Sequence, residues 1–357
     1  MQTGKNTGKH QHGGDALGFE EQYGRAPLDV SANVNPLGLP PGALRAARQA
    51  LEQAAAYPDP QCRRLRTALA ARHNVGVETL LCGNGAADLI YRLMCALRPR
   101  RALLAIPCFA EYENALRASG CSQIEHHRLL AERQFCLTED ILPALHERLD
   151  MLVLTQPNNP TAQCIDGALL HDIAWRCERK NITLLLDECF LDFVEGGQSM
   201  IPYLSRYKGL FILKAFTKYY GMAGLRLGYI LGDGAQLERL ACAGPPWAVS
   251  NVAEAAGLAA LEDRDFEAAT REWLQRAKPR LLQGLESLGI APIGAAANYV
   301  FFGHERADLA HCMAQKGVAI RDCSNFDGLE AGYYRMAIRS QEENERVLQA
   351  LQEVLTT

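Results

Sequence analysis

The stretch LFILKAFTKYYGMAGLRLGY, from Leu210 to Tyr229, predicts how the rest of the chain is organised. Its first four residues form a short apolar run that is typical of a buried strand. A turn of small and polar residues follows and carries Lys218, and eight residues later Arg226 precedes a second apolar run. This order indicates a buried strand with a lysine and an arginine beyond its end.

Lys218 and Arg226 together suggest one kind of ligand. A lysine at the end of a buried strand is partly desolvated, which lowers its pKa and frees the amine to form a Schiff base. An arginine nearby can hold a dianionic phosphate. Pyridoxal 5'-phosphate (PLP) carries both an aldehyde and a phosphate. Alternatively, the lysine lies on the surface and the arginine pairs with an acid, and this stretch alone does not decide between the two.

Length and charge limit the classes of protein to consider. A chain of 357 residues exceeds what one hydrophobic core usually serves, which predicts a large and a smaller domain. The net charge of −4 gives no argument for nucleic acid or for an anionic membrane. No apolar run approaches the ~20 residues that a membrane span needs. The first residues contain no apolar core, so we expect no secretory signal.

The cysteines indicate a reducing compartment. The twelve cysteines are scattered singly and none forms a CxxC pair. This pattern is typical of buried thiols, and we expect a cytoplasmic protein without a disulfide framework. The histidine pairs His10 with His12 and His126 with His127 lack a third ligand at a standard spacing, so we expect no metal.

Four segments are predicted along the chain. Residues 1–25 are polar and glycine-rich and form an N-terminal arm that is flexible unless it docks. Residues 26–45 include the turn-rich sequence SANVNPLGLPPG and are expected to join the small domain. Residues 46–262 form the large domain. Residues 263–357 form a small C-terminal α+β domain.

Within the large domain, helices alternate with short apolar runs. These runs lie at residues 102–106, 151–155, 182–186 and 210–213. Alternating helices and buried strands argue for an α/β fold with a mostly parallel sheet covered on both faces. In such sheets ligands bind at the carboxyl ends of the strands.

Asp187 follows one of these predicted strands directly. Burying a carboxylate there is costly unless a cation or hydrogen-bond donors meet it. A protonated pyridine nitrogen would be such a partner and would strengthen the ring as an electron sink. Alternatively, Asp187 caps a helix. Its distance from Lys218 along the chain, 218 − 187 = 31 residues, allows one crossover to the next strand.

Three further strand ends carry candidate ligand residues. Asn159 precedes a proline and is held extended, so its amide can point into a cleft. Gly85 and Ala86 open a helix, whose N-terminus favours phosphate. Phe109 could stack on a flat heteroaromatic ring. Each also has a plain structural explanation, as a turn, a helix start or a core aromatic. Their common position after predicted strands favours one binding site.

The motifs GNGAAD, PCFAEY, QPNNPTA, DECFLDF and KAFTKYYGMAGLRLGY, in this order, resemble the fold-type I PLP enzymes of the aspartate aminotransferase class. The branch they resemble most is that of histidinol-phosphate aminotransferase. Within it, HGGD (residues 12–15), SANVNPLG (31–38) and RDCSNFDGLEAGYYRMAIRS (321–340) are most similar to the L-threonine-O-3-phosphate decarboxylases of cobalamin biosynthesis. The resemblance spans about residues 12–355 and implies the PLP-dependent transferase fold of type I. That fold has a large domain with a mostly parallel mixed sheet between helices, and a smaller α+β domain.

The resemblance implies roles around the cofactor. Lys218 would be the Schiff-base lysine, and Asp187 the partner of the pyridine nitrogen. Asn159 would bind the phenolic oxygen, and Phe109 would stack on the ring. The cofactor phosphate would be held by Gly85, Ala86, Thr217 and Arg226.

The resemblance also implies substrate and subunit contacts. Arg321 and Arg335 would bind the anions of a small phosphorylated amino acid, with His12 and Asn33 closing over it. Tyr57 would reach the cofactor phosphate of a neighbouring subunit, which implies a homodimer. Neither nucleic acid nor a membrane is expected as a partner.

Four positions depart from the pattern of the family. Ala215 stands where many relatives have a phosphate-binding serine. Phe190 replaces a tyrosine that often helps to bind the phenolic oxygen, and the decarboxylase branch shares this phenylalanine. Ala162 replaces the usual glycine of NPTG. Asp15 stands where the decarboxylase branch has asparagine, and its carboxylate would repel a substrate phosphate unless His12 is protonated or Asp15 points away.

The resemblance predicts a carboxy-lyase that converts L-threonine O-3-phosphate to (R)-1-aminopropan-2-ol O-2-phosphate and CO2. Histidinol-phosphate aminotransferase is the first alternative, and a decarboxylase of a related substrate such as serine phosphate is the second. A non-catalytic PLP-binding or regulatory protein is an alternative of a different class.

Overall fold

The computed structural model describes residues 12–356, so residues 1–11 of the predicted arm, including His10, and Thr357 lie outside the description. The α-helices in chain order are α1 (Ala16–Tyr23), α2 (Pro41–Ala50), α3 (Arg63–His73), α4 (Gly85–Leu97), α5 (Glu111–Ala118), α6 (Gly167–Arg179), α7 (Phe216–Tyr219), α8 (Gly234–Cys242), α9 (Asn251–Glu262), α10 (Arg264–Ser287), α11 (Leu309–Gln315) and α12 (Gln341–Leu355). The strands are β1 (Leu28–Asp29), β2 (Leu80–Gly83), β3 (Arg101–Ile106), β4 (Gln123–Arg128), β5 (Met151–Thr155), β6 (Thr183–Asp187), β7 (Leu210–Ala215), β8 (Gly228–Leu231), β9 (Pro292–Gly294), β10 (Tyr299–Gly303), β11 (Val318–Ala319), β12 (Arg321–Asp322) and β13 (Tyr333–Ala337). Among these described helices, none combines the length and the apolar character that crossing a bilayer requires.

The large sheet contains seven strands within the described residues, in the order β2-β8-β7-β6-β5-β3-β4. From β7 to β4, neighbouring strands pair in parallel. Strand β8 runs antiparallel to both β7 and β2, so β2 points in the same direction as β7. The carboxyl ends of β2, β3, β5, β6 and β7 therefore lie at one edge of the sheet. This arrangement confirms the predicted α/β fold with a mostly parallel mixed sheet.

The central strands are buried because they are apolar along their whole length. Every residue of β5 and of β7 is buried, as expected for strands covered on both faces. Helix α4 follows β2 directly and buries one apolar side, which includes Leu89, Ile90 and Leu93. Helices α4, α6 and α8 pack against strands of this sheet. The sheet thus provides a rigid base for the residues at its carboxyl edge.

A second sheet lies in the C-terminal part of the chain. Its strands are antiparallel in the order β12-β13-β10-β9, and α10 packs on α12. Strand β1, from the predicted joining segment 26–45, pairs in parallel with β11. The backbone of Val30 extends this contact, since its N–H donates to Ala319 O and its carbonyl accepts from Ala337 N. The exact domain boundaries stay a prediction.

The described part of the N-terminal arm is docked rather than free. It contains α1, whose N-cap residue is Asp15, and the carboxylate of Asp15 accepts from Gly18 N at 3.0 Å. Tyr23 OH lies 3.4 Å from His311 Nδ1, and the guanidinium of Arg25 donates to the carbonyl of Gln315. Helix α1 buries no residue, so hydrophobic periodicity could not predict it. The aspartate at its N-cap and Gly24 at its end were the available signals.

Candidate active site

A cavity of about 420 Å³ opens at the carboxyl edge of the large sheet. Most of the residues predicted for the site line it: His12, Asn33, Ala86, Phe109, Asn159, Asp187, Phe190, Thr217, Lys218, Arg226, Arg321 and Arg335. Gly85 is not among the lining residues but contacts Arg226, and Tyr57 lies elsewhere. The tertiary structure thus brings together side chains that are up to 323 positions apart in sequence, from His12 to Arg335.

Lys218 lies in the short helix α7 directly after β7. No acidic side chain among the described residues forms an ion pair with its amine, and Nζ lies 6.0 Å from the centroid of the Phe190 ring. Burial and the positive charges of Arg335 and Arg226 lower the pKa of Lys218 to about 8. A substantial fraction of the amine is therefore neutral near physiological pH, as a nucleophilic lysine requires.

Asp187 ends β6 with its carboxylate buried in the cavity wall. Its Oδ2 accepts from Tyr112 OH at 2.6 Å, and its Oδ1 accepts from Cys189 N at 2.8 Å. Burial raises the pKa of Asp187 above its ordinary value, although these hydrogen bonds act in the opposite direction. A cationic N–H group beside the carboxylate would offset this cost of burial.

Tyr112 and Cys189 were missed by the sequence analysis. Burial and the neighbouring Asp187 raise the pKa of the Tyr112 hydroxyl well above its ordinary value, so the hydroxyl stays protonated and acts as a donor. Cys189 lines the cavity two residues beyond Asp187. Both belong to motifs that carry the family resemblance, PCFAEY and DECFLDF. Nothing in those motifs indicates that the tyrosine of one meets the aspartate of the other.

The first turn of α4 and Arg226 together form an anion site. Gly85 has a φ of +79°, and a Cβ there would lie 2.6 Å from Nη2 of Arg226. Glycine at this position therefore lets the guanidinium approach the N-terminus of the helix. Arg226 has no acidic partner among the described residues, and its Nη1 donates to Ala223 O at 3.3 Å. A helix N-terminus beside an unneutralised guanidinium suits a phosphate.

Ala215, at the end of β7, and Thr217, in α7, also line the cavity. Ala215 is the last residue of β7 and contributes no side-chain donor. The departure from the serine of many relatives therefore falls on the cavity wall itself.

Arg321 and Arg335 face each other across two strands. They are direct partners in the antiparallel pairing of β12 with β13, and both line the cavity. Arg335 donates through Nη2 to Ser31 O at 2.7 Å and through Nη1 to Asn159 Oδ1, while its buried Nε has no partner among the described residues. Arg321 donates through Nη2 to Asn325 Oδ1 at 2.7 Å. Like charges on opposing residues repel, so an anion bound here would stabilise the pair.

Asn33 has the clearest unmet hydrogen-bonding capacity in the cavity wall. Its side chain is 1% exposed, and neither Nδ2 nor Oδ1 has a partner among the described residues. Leaving a buried polar group unpaired costs about 1–3 kcal/mol. A ligand with both an acceptor and a donor would satisfy this amide.

His12 and Asp15 point to different places although both belong to the HGGD motif. The His12 ring lies 5.4 Å from that of Phe109, and its Nε2 lies 3.1 Å from Glu111 Oε1. The Asp15 carboxylate instead caps α1 and does not line the cavity. Of the two arrangements considered for Asp15, the structure has the one in which it points away.

The remaining departures have local explanations. Phe190 packs edge-on against Tyr299, with 5.0 Å between the ring centroids, and Tyr299 OH donates to Asn158 O at 2.7 Å. Ala162 is buried with a φ of +55°. This left-handed conformation favours glycine, which is the physical reason for the usual glycine of NPTG.

Tyr57 does not line the cavity of its own chain. Its side chain is 81% exposed, and its ring lies 4.7 Å from that of Trp247, which is itself 45% exposed. The predicted contact with a neighbouring subunit stays a prediction. The described residues contain no cluster of three or more His, Cys, Asp or Glu side chains that could hold a metal ion.

Comparisons with known proteins agree with this geometry. The family profile of class I and II aminotransferases matches residues 26–351. The chain is 40% identical to threonine-phosphate decarboxylase from Salmonella typhimurium over 352 residues, covering 97% of this chain and 96% of the relative. Among solved structures, histidinol-phosphate aminotransferase from Clostridium acetobutylicum superposes with a TM-score of 0.86 at 27% identity, covering 92% of this chain and 98% of that chain. L-Threonine-O-3-phosphate decarboxylase from Porphyromonas gingivalis has a TM-score of 0.81 at 27% identity, covering 91% and 98%.

Proposed function

The chain belongs to the class I and II aminotransferase family, and from this premise we propose that it decarboxylates L-threonine O-3-phosphate to (R)-1-aminopropan-2-ol O-2-phosphate and CO2. Its cofactor is pyridoxal 5'-phosphate, as in the rest of the family. The proposed place of the reaction is cobalamin biosynthesis, because the motifs at residues 12–15, 31–38 and 321–340 resemble those of that decarboxylase branch.

The chemistry of the cavity fits this cofactor. The Lys218 amine, with its lowered pKa, suits an aldehyde, and the anion site of Arg226 and α4 suits the cofactor phosphate. The buried carboxylate of Asp187 suits a protonated ring nitrogen. Phe109 offers an aromatic face in the same cavity. We assign these four features to PLP binding, with Thr217 and Asn159 as further contacts.

When bound, the cofactor provides an electron sink for the bond that breaks at the substrate Cα. Asp187 keeps the proton on the ring nitrogen, and Tyr112 helps to keep Asp187 ionised by donating to it. Asn33 and the arginines orient the substrate in the cavity. Lys218 Nζ is the acid that returns a proton to Cα after CO2 has left.

The observation that carries the choice of substrate is the cross-strand pair of Arg321 and Arg335. These residues add positive charge to a cavity that already has Arg226 for the cofactor. If the pair and His12 hold the substrate phosphate, the arginines leave the substrate carboxylate unbound, and it can depart as CO2. If an arginine instead bound the carboxylate, the Cα–H bond would be the one to break and transamination would follow.

Sequence identity and the position of Asp15 separate the alternative functions. The fold is common to decarboxylases and aminotransferases, so structural similarity does not separate the two activities. The 40% identity to a decarboxylase over nearly the whole chain favours decarboxylation. The serine phosphate alternative depended on Asp15, whose carboxylate caps α1 instead of facing the cavity.

The same proposal includes a homodimer. Tyr57 is exposed beside the exposed Trp247 and makes no contact with the cavity of its own chain. In the proposed dimer, Tyr57 of each subunit completes the cofactor phosphate site of the other.

The direct test is to incubate the purified, PLP-loaded protein with L-threonine O-3-phosphate. We expect CO2 and 1-aminopropan-2-ol O-2-phosphate in equal amounts, because only the carboxylate is lost. The Lys218→Ala variant should release no CO2 above the background.

Histidinol phosphate with 2-oxoglutarate serves as the competing substrate pair. Glutamate formation from that pair, without CO2 from threonine phosphate, would refute the proposal in favour of the aminotransferase. Equal CO2 release from serine phosphate would leave the reaction intact and change the substrate.

A further inference from the structure

Glu111 is an acidic residue in the cavity wall to which the proposed function gives no role. It is the first residue of α5, and its carboxylate contacts three other side chains. Oε1 lies 3.1 Å from His12 Nε2 and accepts from Asn114 Nδ2 at 3.2 Å. Oε2 accepts from Tyr91 OH at 3.0 Å. Glu111 therefore connects α4 and α5 to the N-terminal segment that carries His12.

The backbone beside His12 is also anchored. Gly14 N donates to Ser31 Oγ at 2.9 Å, so the segment lies against the residues that follow β1. Gly13 has no room for a side chain, because a Cβ there would collide with the carbonyl of Ser31. These contacts bring the segment to the cavity but leave the direction of the His12 ring undetermined. The contacts that orient the ring are those with Phe109 and Glu111.

The hydrogen bond to Glu111 determines which ring nitrogen of His12 meets a ligand. Nε2 is occupied by the carboxylate, so Nδ1 is the nitrogen left for the cavity. A histidine that donates one N–H to a carboxylate has its tautomer and its ring orientation fixed by that bond. The side chain of His12 is half-exposed, so without this hydrogen bond its ring could rotate.

We propose that Glu111 is a positioning residue that acts through His12. It orients the doubly protonated imidazole so that Nδ1–H donates to the phosphate group of the substrate while Nε2–H donates to Glu111, and it thereby favours phosphorylated over unphosphorylated amino acids. This inference rests on the proposed function for the identity of the substrate, but the hydrogen bonds that carry it do not depend on the reaction.

The test is a double-mutant cycle of His12→Ala and Glu111→Ala, measured on the PLP-loaded enzyme with inorganic phosphate as the probe. Loading fills the cofactor's own phosphate site, so the probe reports on the substrate site. Because a hydrogen bond to a charged group contributes roughly 10-fold to 100-fold in affinity, each single variant should weaken phosphate binding by at least about 10-fold. The double variant should bind no more weakly than either single variant, since both remove the same contact.

Steady-state kinetics provide the second measurement. The KM for threonine phosphate should rise with the phosphate dissociation constant, while kcat changes little, because the contact holds a group remote from the reacting bond. Hydrogen exchange at the Gly13 and Gly14 amides should become faster in Glu111→Ala. A purely structural role of Glu111 would lower kcat and would act independently of His12.

Two further variants serve as controls. Glu113→Ala changes a neighbouring acid of α5 that contacts His126 and Arg117 and should behave like the wild type. Glu111→Asp keeps the negative charge at the start of α5 but shortens the side chain, so it should reproduce the loss even if Glu111→Ala does not fold.

The outcomes separate this inference from the proposed function. Additive effects in the cycle, or a Glu111→Asp enzyme that binds phosphate as the wild type does, overturn the role of Glu111. A wild-type enzyme that releases no CO2 from threonine phosphate, but shows the non-additive cycle with phosphate, overturns the substrate and leaves the role of Glu111 intact.

Discussion

Lys218 and Asp187 lie in the same cavity, and burial favours the neutral form of each: it lowers the pKa of Lys218 and raises the pKa of Asp187. The two shifts have complementary consequences. A neutral amine can attack an aldehyde, and a costly buried carboxylate gains from a cationic ring nitrogen. Tyr112 connects this pair to the aromatic wall, since it donates to Asp187 and packs edge-on against Phe109 at 5.8 Å. The chemistry of each group thus depends on its neighbours more than on its residue type.

The first prediction concerns the pH dependence of Lys218 in the cofactor-free protein. Its pKa is lowered to about 8, so the amine is protonated below that pH and neutral above it. Acylation of Lys218, followed by mass spectrometry of its peptide, should therefore have a midpoint near pH 8. Between about pH 8 and the ordinary value of 10.5, the folded protein binds fewer protons than the unfolded chain, so this group's contribution to stability rises with pH there.

A matched variant tests the cause of this shift. Arg335→Gln removes a positive charge that lowers the pKa of Lys218, so it should move the acylation midpoint to higher pH. The exposed Lys208 provides an internal reference in the same sample. A midpoint for Lys218 no lower than that for Lys208 would contradict the prediction.

At the scale of elements, β6 and β7 carry a second polar cluster that the proposed reaction does not use. Lys214 of β7 is buried, and its Nζ lies 3.0 Å from Asp192 Oδ1 and 3.7 Å from Glu188 Oε2. Glu188 directly follows β6, is fully buried, and accepts from Ser199 Oγ and Met200 N. Burial opposes the charge on Lys214, but Asp192 and Glu188 together raise its pKa above the ordinary value.

This cluster predicts a stability effect separate from activity. Lys214→Met removes the buried cation and leaves the Glu188 carboxylate without a counter-charge, which should cost about 3–5 kcal/mol in the free energy of unfolding. Denaturant unfolding of the cofactor-free protein measures this cost.

Two controls accompany this prediction. Adding Glu188→Gln should recover much of the loss, because the uncompensated charge is removed with its partner. Lys208→Met affects an exposed ion pair with Asp233 and should change stability by less than about 1 kcal/mol. Equal losses in the free energy of unfolding for Lys214→Met and Lys208→Met would show that the buried cluster stabilises the fold no more than an exposed ion pair does.

At the scale of the whole molecule, the proposed site needs residues from every part of the chain. His12 comes from the docked arm, Lys218 and Asp187 from the large sheet, and Arg321 and Arg335 from the C-terminal sheet. Tyr57 is a predicted site residue that does not line the cavity. A second subunit would supply it, which makes the assembly part of the active site in the proposed homodimer.

Mixing two inactive variants tests this proposal. Tyr57→Ala and Lys218→Ala homodimers each lack one component in both sites, whereas a mixed dimer regains one intact site. Random exchange of subunits should restore about a quarter of the wild-type activity, because half of the dimers are mixed and each has one of two sites. The experiment is run at limiting PLP, where the loss of Tyr57 weakens cofactor binding most.

The mixing experiment has a matched control variant and one outcome that would contradict the proposal. Tyr57→Phe is the matched control, since it keeps the ring but loses the hydroxyl that would reach the phosphate. No recovery after proven subunit exchange would mean that Tyr57 acts within its own chain or not at all.

Most of the fold was predictable from local sequence, whereas the substrate-binding roles of His12, Asn33, Arg321 and Arg335 came only from the resemblance to a family. The apolar runs that become β5 and β7 fill their strands completely, and a ligand residue placed after a parallel strand reaches the same sheet edge by geometry alone. That is why Asp187, Asn159 and Lys218 could be assigned to one cavity. Tyr112 and Glu111 belong to the motif PCFAEY, but their hydrogen-bond partners could not be predicted from it.

The sequence by itself determined where the strands of the large sheet lie and which candidate ligand residues follow each of them. The reason is that strand and turn propensities act over a few neighbouring residues. Only the tertiary structure decided which side chains meet across elements: the pairing of Arg321 with Arg335, the bond from Tyr112 to Asp187, and the turn of Asp15 away from the cavity. The physical reason is that these contacts depend on packing between segments far apart in the chain, and no local pattern specifies it.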